Sequence, residues 1–391
     1  MQTAQQRILS IDLLRGIVII IMALDHVRGY FHGDSHQFSP TDLSKTDPFI
    51  FFTRWVTHFC APVFVLLAGT SASIISRKKS KAELSRFLLT RGLWLVFVEL
   101  VIVNFGWFFD PNFTFNPLQV IWALGISMVA LSALIHLPGK VILVIGLAIL
   151  FGHNLLDGFV LEENSFKAFL WAALHEPMRF EFMGRGFRTN YPVLPWIGIM
   201  SLGYSLGSLY AKDVVPALRR KYLLIIGSTA VLLFIVLRAS NLYGDHSKWV
   251  EQKDALFTLM SFINTSKYPP SLLYSLMTLG PSLILLGLME KSLGSWSKPL
   301  LHFGRVPMFF YLAHIYLIHL LVSLAMVIMG IDWRESVITS GIRNFHPEGF
   351  GFSLGVVYLV WIAVILMLYP LCKWYDNYKS RNKEKWWLSY L

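Results

Sequence analysis

Apolar runs of roughly 20 residues recur along the whole chain, and they constrain the fold more than any other feature. About ten such runs can be recognised, centred on Ile20, Val65, Val98, Val129, Leu147, Met200, Val231, Leu283, Ile318 and Ile362. Only 15% of the residues are charged, whereas a soluble domain is about one-quarter charged. The runs leave no room for a soluble domain. The sequence therefore predicts an all-α polytopic membrane helix bundle that forms a single domain over residues 1–391.

Lysine and arginine occur in short clusters beside these runs, at residues 77–81, 140, 219–221, 291–298 and 379–385. With ten spans, every cluster falls on the side of the bundle that holds both termini. Cytoplasmic loops of membrane proteins carry an excess of Lys and Arg, so both termini are predicted to be cytoplasmic. The longer loops near residues 34–47, 162–188, 245–267 and 332–348 then lie outside. The net charge of +11 is thus explained by topology, and nucleic acid is not an expected partner.

The first run, SIDLLRGIVIIIMALDHVRGYF, carries ionisable residues at both ends: Asp12, Arg15, Asp25, His26 and Arg28. In a bilayer such groups are costly unless they are paired, hydrated or turned toward the protein interior. On a helix, Asp12, Arg15 and His26 fall within an arc of roughly 60°. Two interpretations are open for Asp12 and Arg15, a structural ion pair or a binding role. For His26, which follows Asp25, we favour a function.

The same face of the first helix carries the small residues Gly16 and Ala23, which would let another helix approach closely. The second run repeats this pattern, with Arg54 and His58 toward its outer end and Gly69 further in. His58 lies at a depth comparable with that of His26. Antiparallel neighbouring helices would bring the two imidazoles together.

The ninth run places Tyr311 and His314 on one helix face, with His314 near mid-membrane, while His319 points elsewhere and is expected to be a packing residue. Two outer segments also look alike, TNYPVLPW at Thr189 and SKYPPSLL at Ser266. A tyrosine before a proline at a helix start is typical of a residue at the membrane interface.

An imidazole that titrates near neutral pH and is oriented by a carboxylate can deprotonate a hydroxyl or an amine. The sequence contains no Walker, dinucleotide-binding or His-Glu-x-x-His motif, so nucleotide-driven and zinc chemistries lack support. The two cysteines, Cys60 and Cys372, lie far apart in apolar segments, and we expect no metal. Histidines at several depths would also suit a proton-coupled transporter. The residues alone leave both classes open.

The stretch Asp12–Gly16, Asp-Leu-Leu-Arg-Gly, followed by an apolar run to His26, resembles the first helix of the heparan-alpha-glucosaminide N-acetyltransferase family. The stretch FVLLAGTSA from Phe64 is similar to the second helix of that family, and the region through Tyr311 and His314 to its ninth. In the related acyltransferase family 3, the first-helix motif ends in a catalytic histidine that aligns with His26. The human family member instead has asparagine there and a histidine in the first luminal loop, near His32 or His36 here.

This resemblance implies a transmembrane acyltransferase domain. The enzyme would move an acyl group, most simply acetyl, from cytosolic acyl-CoA to an amine or hydroxyl of an extracytoplasmic sugar or glycan. The alternative is a proton-coupled transporter of a small polar or glycan substrate. The expected partners are acyl-CoA, the acceptor and the lipid bilayer, with a homodimer kept open, and the expected location is a bacterial inner membrane.

The predicted catalytic residues are His26, Asp25 and His58. The predicted substrate- and donor-binding residues are Asp12, Arg15, Arg28, His36, Arg54, Tyr311, His314, Lys78 and Lys79. The cationic stretch Arg77–Arg91 could cradle the phosphates of CoA, and it could equally be a topology signal.

The charge distribution makes a direct prediction about sidedness. In intact cells, Ser35→Cys and Ser247→Cys variants should react with a membrane-impermeant maleimide, whereas Ser80→Cys should react only after the membrane is opened. Labelling of Ser80→Cys in intact cells would contradict the predicted topology.

Overall fold

The computed structural model describes residues 8–35, 37–159, 161, 165–290, 294–336, 347 and 349–389. These residues form fifteen α-helices. They are α1 (Leu9–Phe31), α2 (Pro48–Val56), α3 (Cys60–Ser76), α4 (Lys81–Phe97), α5 (Asn104–Phe108), α6 (Val120–Leu134), α7 (Gly139–Gly152), α8 (Phe166–Leu174), α9 (Leu194–Leu206), α10 (Pro216–Ser240), α11 (Ala255–Ile263), α12 (Leu272–Leu288), α13 (Ser297–Arg305), α14 (Pro307–Ile328) and α15 (Leu354–Arg381). All ten predicted centres lie in helical segments, which confirms a mostly helical architecture.

Two pairs of these helices form continuous helical segments, without an intervening loop. A 3₁₀ turn at Thr57–Phe59 joins α2 to α3, and a π-helical segment at Val98–Val103 joins α4 to α5. Among the described residues, six helices are long and apolar enough to cross a membrane: Pro48–Ser76, Lys81–Phe108, Gly139–Leu156, Pro216–Ser240, Pro307–Ile328 and Leu354–Arg381. Two apolar helices, α6 and α12, are shorter. The total of ten spans and the cytoplasmic termini stay predictions.

A small sheet, which the all-α prediction omitted, accompanies the helices. Its strands are β1 (Phe115–Leu118), β2 (Arg179–Phe182) and β3 (Arg185–Thr189), in the order β1-β3-β2. β1 pairs with β3 in parallel, and β2 with β3 antiparallel. Strands of four or five residues give little sequence signal beside the long apolar runs. The sheet leads directly into Tyr191, whose N–H donates to the Leu118 carbonyl at 3.1 Å.

The charged helix α1 is enclosed by other helices, packing against α3, α13, α14 and α15. Its closest neighbour is α13. A Cβ atom added at Gly16 would lie 2.1 Å from the Leu300 carbonyl oxygen, and one added at Gly304 would lie 1.7 Å from that of Asp12. Only glycine allows the two backbones to come this close. The predicted role of the small residues on this face is thus confirmed at Gly16.

The π-helical segment brings Glu99 against the start of α6. The Glu99 carboxylate accepts the backbone N–H groups of Ile121 and Trp122, each at 2.9 Å. The first N–H groups of a helix have no partner within the helix, so an oxygen acceptor placed there satisfies them. Glu99 therefore fixes the end of α6 that borders the large cavity described below.

Candidate functional site

A cavity of about 820 Å³ runs through the middle of the bundle alongside α1. At the end where α1 begins, called the inner end here, it is lined by the cations Arg15, Arg91, Arg305 and Lys379. At the end where α1 finishes, the outer end, it is lined by Asp25, His26, Arg28, Arg54, Tyr191 and Tyr268. Apolar side chains line the stretch between: Ile19, Met22, Val65, Leu95, Ile121 and Met128. Arg15 and Arg28 are about 20 Å apart along the helix axis. The cavity therefore joins two polar regions through an apolar middle.

At the outer end, His26 forms a hydrogen bond with a second imidazole. Its Nδ1 lies 2.7 Å from Nε2 of His314, with the two rings nearly parallel at 12°. The other nitrogen of His314, Nδ1, lies 2.9 Å from the Phe310 carbonyl oxygen. A carbonyl only accepts, so Nδ1 of His314 carries the proton and its Nε2 must accept from His26. In the neutral pair, Nε2 of His26 is therefore the nitrogen that keeps a lone pair.

Two aromatic side chains hold the His26 ring in place. The Trp107 ring meets it edge-on with centroids 4.8 Å apart, and the Tyr311 ring does so at 6.2 Å. Tyr311 and Trp107 line the cavity together with His26. His314 itself is fully buried. The imidazole pair is thus shielded on its protein side and faces the cavity through His26.

The carboxylate of Asp25 lies between two arginines rather than against His26. Arg28 Nη2 is 3.2 Å from Asp25 Oδ1, and Arg54 Nη1 donates to Asp25 Oδ2. Adjacent residues on a helix point in directions about 100° apart, so Asp25 and His26 cannot face one partner together. The group that orients His26 is His314, and Asp25 instead holds two guanidinium groups at the outer wall of the cavity.

Asp12 and Arg15 form the predicted ion pair at the inner end, with Arg15 Nη1 3.6 Å from Asp12 Oδ1. Arg305 approaches the other oxygen of Asp12 at 3.7 Å. Arg15 also donates to the Leu67 carbonyl at 3.0 Å and to the Ser71 hydroxyl. Because both Asp12 and Arg15 line the cavity, the structural pair and a binding role are compatible.

Lys78 and Lys79 are exposed in the turn before α4 and do not line the cavity that the described residues form. Lys79 lies over the ring of Phe87, 5.9 Å from its centroid, and Phe87 does line it. The cation that the stretch Arg77–Arg91 contributes to the cavity wall is Arg91.

The two similar Tyr-Pro segments meet at the outer end of the cavity. The rings of Tyr191 and Tyr268 lie 5.2 Å apart, and the Tyr268 hydroxyl donates to that of Tyr191 at 3.4 Å. Lys267 lies over the Tyr268 ring at 5.2 Å. Burial raises the pKa of Tyr268, but the charges of Lys267 and Arg54 outweigh it and lower the pKa to about 8. Tyr191, Lys267 and Tyr268 were not among the predicted site residues. The likeness of the two Tyr-Pro segments was the sequence signal that could have pointed to them.

Comparison with known families agrees with the resemblance noted in the sequence. The family model described as heparan-alpha-glucosaminide N-acetyltransferase, catalytic, matches residues 7–241. The chain belongs to this family. A comparison with curated proteins found no match to the chain. The protein is therefore an integral membrane member of an acetyltransferase family, and the match includes Asp12, His26, Arg54 and His58.

The family match ends before His314 and Tyr268, so these two residues enter the candidate site on geometry alone. The other predicted histidines occupy different places. His58 lines the same cavity, packs against the Tyr274 ring at 5.6 Å and is not the imidazole bonded to His26. His32 is buried beside Phe352, off the cavity wall that the described chain forms, and His36 lies outside the described residues.

The buried charges around Asp25 make a stability prediction. Asp25→Asn should lower the free energy of unfolding by about 3–5 kcal/mol, because it leaves Arg28 and Arg54 buried without their counter-charge. Asp332→Asn is the matched control, since its partner Arg334 lies 3.8 Å away and both side chains are exposed. That change should stay within about 1 kcal/mol. Denaturant unfolding in detergent micelles measures both. Equal effects would show that the Asp25 ion pairs contribute no more than a surface pair.

Proposed function

We propose that the protein transfers an acetyl group from cytosolic acetyl-CoA to an amine or hydroxyl of a sugar on the other side of the membrane. The observation that carries this proposal is the position of His26. This residue lines a cavity that reaches both ends of the bundle, and its Nε2 keeps a lone pair. Family membership supports acetyl transfer. The cavity supports two substrates that meet from opposite sides.

The inner end suits the donor. Arg15, Arg91, Arg305 and Lys379 provide positive charge where the phosphates of CoA would bind. The apolar middle suits the neutral pantetheine arm and the acetyl group. From Arg15 to His26 the helix rises about 16 Å, a length that suits an extended arm. We propose that Lys78 and Lys79 contact the phosphates of CoA from the edge of the inner end, without lining the cavity.

The outer end suits the acceptor. Sugars are recognised by charged and amide groups that bind hydroxyls and by aromatic rings that pack against the sugar ring. Arg28, Arg54, Tyr191 and Tyr268 offer such groups around His26. Asp25 keeps the two arginines in place, and His58 on the same wall is a second candidate for acceptor binding or proton transfer.

In the proposed reaction, His26 Nε2 takes the proton of the acceptor as its nitrogen or oxygen attacks the thioester carbonyl. The new C–N or C–O bond forms, the C–S bond breaks, and the leaving thiolate takes the proton back from His26. His314 acts as a positioning residue, because its Nε2 accepts a hydrogen bond from the Nδ1–H of His26 and stabilises the positive charge that develops on the ring.

A proton-coupled transporter is the second candidate, since a cavity that reaches both ends and holds a histidine pair would also suit a proton path. Purified protein in detergent distinguishes the two. An acetyltransferase binds acetyl-CoA and releases CoA thiol on addition of an amino sugar, with no membrane gradient present. A transporter shows no CoA binding in calorimetry and takes up substrate in liposomes in response to a pH gradient.

The proposed base gives a kinetic prediction. His26→Ala should lower kcat by about 10²–10⁴-fold, because loss of a positioned base costs this much, while acetyl-CoA affinity is retained. His314→Phe should give a smaller loss of kcat and a changed pH profile, since the Nδ1 proton of His26 loses its acceptor. His136→Ala, an exposed histidine at the inner end, is the control. Near-wild-type turnover by His26→Ala would move the role to His58 or His36.

The donor site gives a binding prediction. Replacing Arg91 and Lys379 together by Gln should weaken acetyl-CoA binding more than replacing Lys78 and Lys79 together, because only the first pair lines the cavity. Binding to the wild type should also weaken with salt, since exposed charges are screened over roughly 8–10 Å at physiological ionic strength. Calorimetry at two salt concentrations measures both effects. A larger effect of the Lys78/Lys79 pair would place the phosphates on the turn before α4.

A further inference from the structure

Three potential metal ligands meet at the outer end, away from the cavity wall. They are His153 in the 3₁₀ turn His153–Leu156, Asp157 directly after that turn, and His175 directly after α8. One ligand atom of each lies within 4.8 Å of the others. His175 Nε2 is 3.1 Å from Asp157 Oδ1. The chain thus brings two imidazoles and a carboxylate together from separate elements.

The two histidines are buried without the partners that a packing histidine needs. His153 is 2% exposed and His175 is 0% exposed. Within the part of the chain that the structure describes, both ring nitrogens of His153 and Nδ1 of His175 have no hydrogen-bond partner. A neutral imidazole always presents one N–H donor and one lone pair. Leaving such groups buried and unpaired is destabilising, because they lose their hydrogen bonds to water. A ligand that accepts imidazole lone pairs would remove much of this cost.

We propose that His153, Asp157 and His175 bind a zinc ion. Two imidazoles and one carboxylate suit Zn²⁺, whereas Ca²⁺ and Mg²⁺ prefer oxygen ligands throughout. Zinc takes such ligands at about 2.0–2.2 Å in tetrahedral geometry. His175 Nε2 and Asp157 Oδ1, 3.1 Å apart, need only a small adjustment to share one ion, and the His153 ring, whose ligand atom lies within 4.8 Å of both, must move further toward them. Water completes the four-coordinate shell. The sequence predicted no metal, because the three residues form no recognised spacing motif.

A neighbouring side chain orients the carboxylate as metal sites require. Asn154 Nδ2 donates to Asp157 Oδ2 at 2.8 Å, which leaves Oδ1 directed toward His175. Asn154 Oδ1 in turn accepts the backbone N–H of Leu272, the first residue of α12, at 2.9 Å. The zinc site is therefore linked to the segment that carries Tyr268.

A second link runs from α8 to the other tyrosine. The N–H of Val193, two residues after Tyr191, donates to the carbonyl of Ala173, two residues before His175, at 2.8 Å. Zinc bound here would tie the end of α7 to α8 and steady both Tyr-Pro segments at the outer end of the cavity. Its role is structural, and it does not depend on the proposed acetyl transfer.

The test uses the full-length protein in detergent, purified without a histidine tag and dialysed against EDTA. Wild type should bind one equivalent of Zn²⁺, measured by elemental analysis after gel filtration, and its melting temperature should rise on loading. Co²⁺ in place of Zn²⁺ should give the visible absorption bands of a tetrahedral site. Binding of no zinc, or of zinc without any change in melting temperature, would overturn the proposal.

Variants locate the site. His153→Ala, His175→Ala and Asp157→Asn should each weaken Zn²⁺ binding by at least about 100-fold, since loss of an outer-shell partner alone already costs 10–100-fold. His136→Ala, exposed at the opposite end of the bundle, should bind zinc like the wild type. Zinc binding that survives all three variants would show that the metal lies elsewhere. Should a variant fail to fold, the Co²⁺ spectrum of the wild type still decides whether the protein holds a tetrahedral metal site.

Discussion

The first helix cannot face lipid, and the arrangement of the other helices follows from this constraint. Asp12, Arg15, Asp25, His26 and Arg28 would each be costly in hydrocarbon unless paired or turned inward. The bundle encloses α1 and gives these groups partners: Arg15 and Arg305 for Asp12, Arg28 and Arg54 for Asp25, and His314 for His26. The close approach of Gly16 and Gly304 to the facing backbones makes this enclosure tight at the inner end.

The same enclosure explains why a single cavity has two polar ends. The ionisable groups of α1 stand at its two ends and the residues between them are apolar, so a cavity alongside the helix inherits that pattern. In the proposed function, a donor with charged phosphates and a neutral arm would occupy one end and the middle. A hydroxyl-rich acceptor would occupy the other end. His26 lies where the two would meet, with its proton position determined by His314 and the Phe310 carbonyl.

Much of this could be predicted from the sequence, and the rest depends on long-range packing. Local patterns located the ten helical segments, the small-residue face around Gly16 and the candidate base His26. Patterns within one helix cannot show which helices become neighbours. The partner of His26 was therefore missed although His314 was a candidate, since the two are 288 residues apart. The meeting of Tyr191 with Tyr268, the short sheet and the His153–Asp157–His175 cluster depend on packing in the same way.

The central claim is that acetyl-CoA enters this cavity from the inner end and presents its thioester to His26. A cryo-electron microscopy map of the purified protein with a non-hydrolysable acetyl-CoA analogue tests it most directly. The proposal predicts density for the nucleotide beside Arg15, Arg91 and Lys379, and for the thioester carbon within reach of His26 Nε2 on the cavity side. Nucleotide density at the outer end, or an acyl group that ends away from the His26–His314 pair, would contradict it.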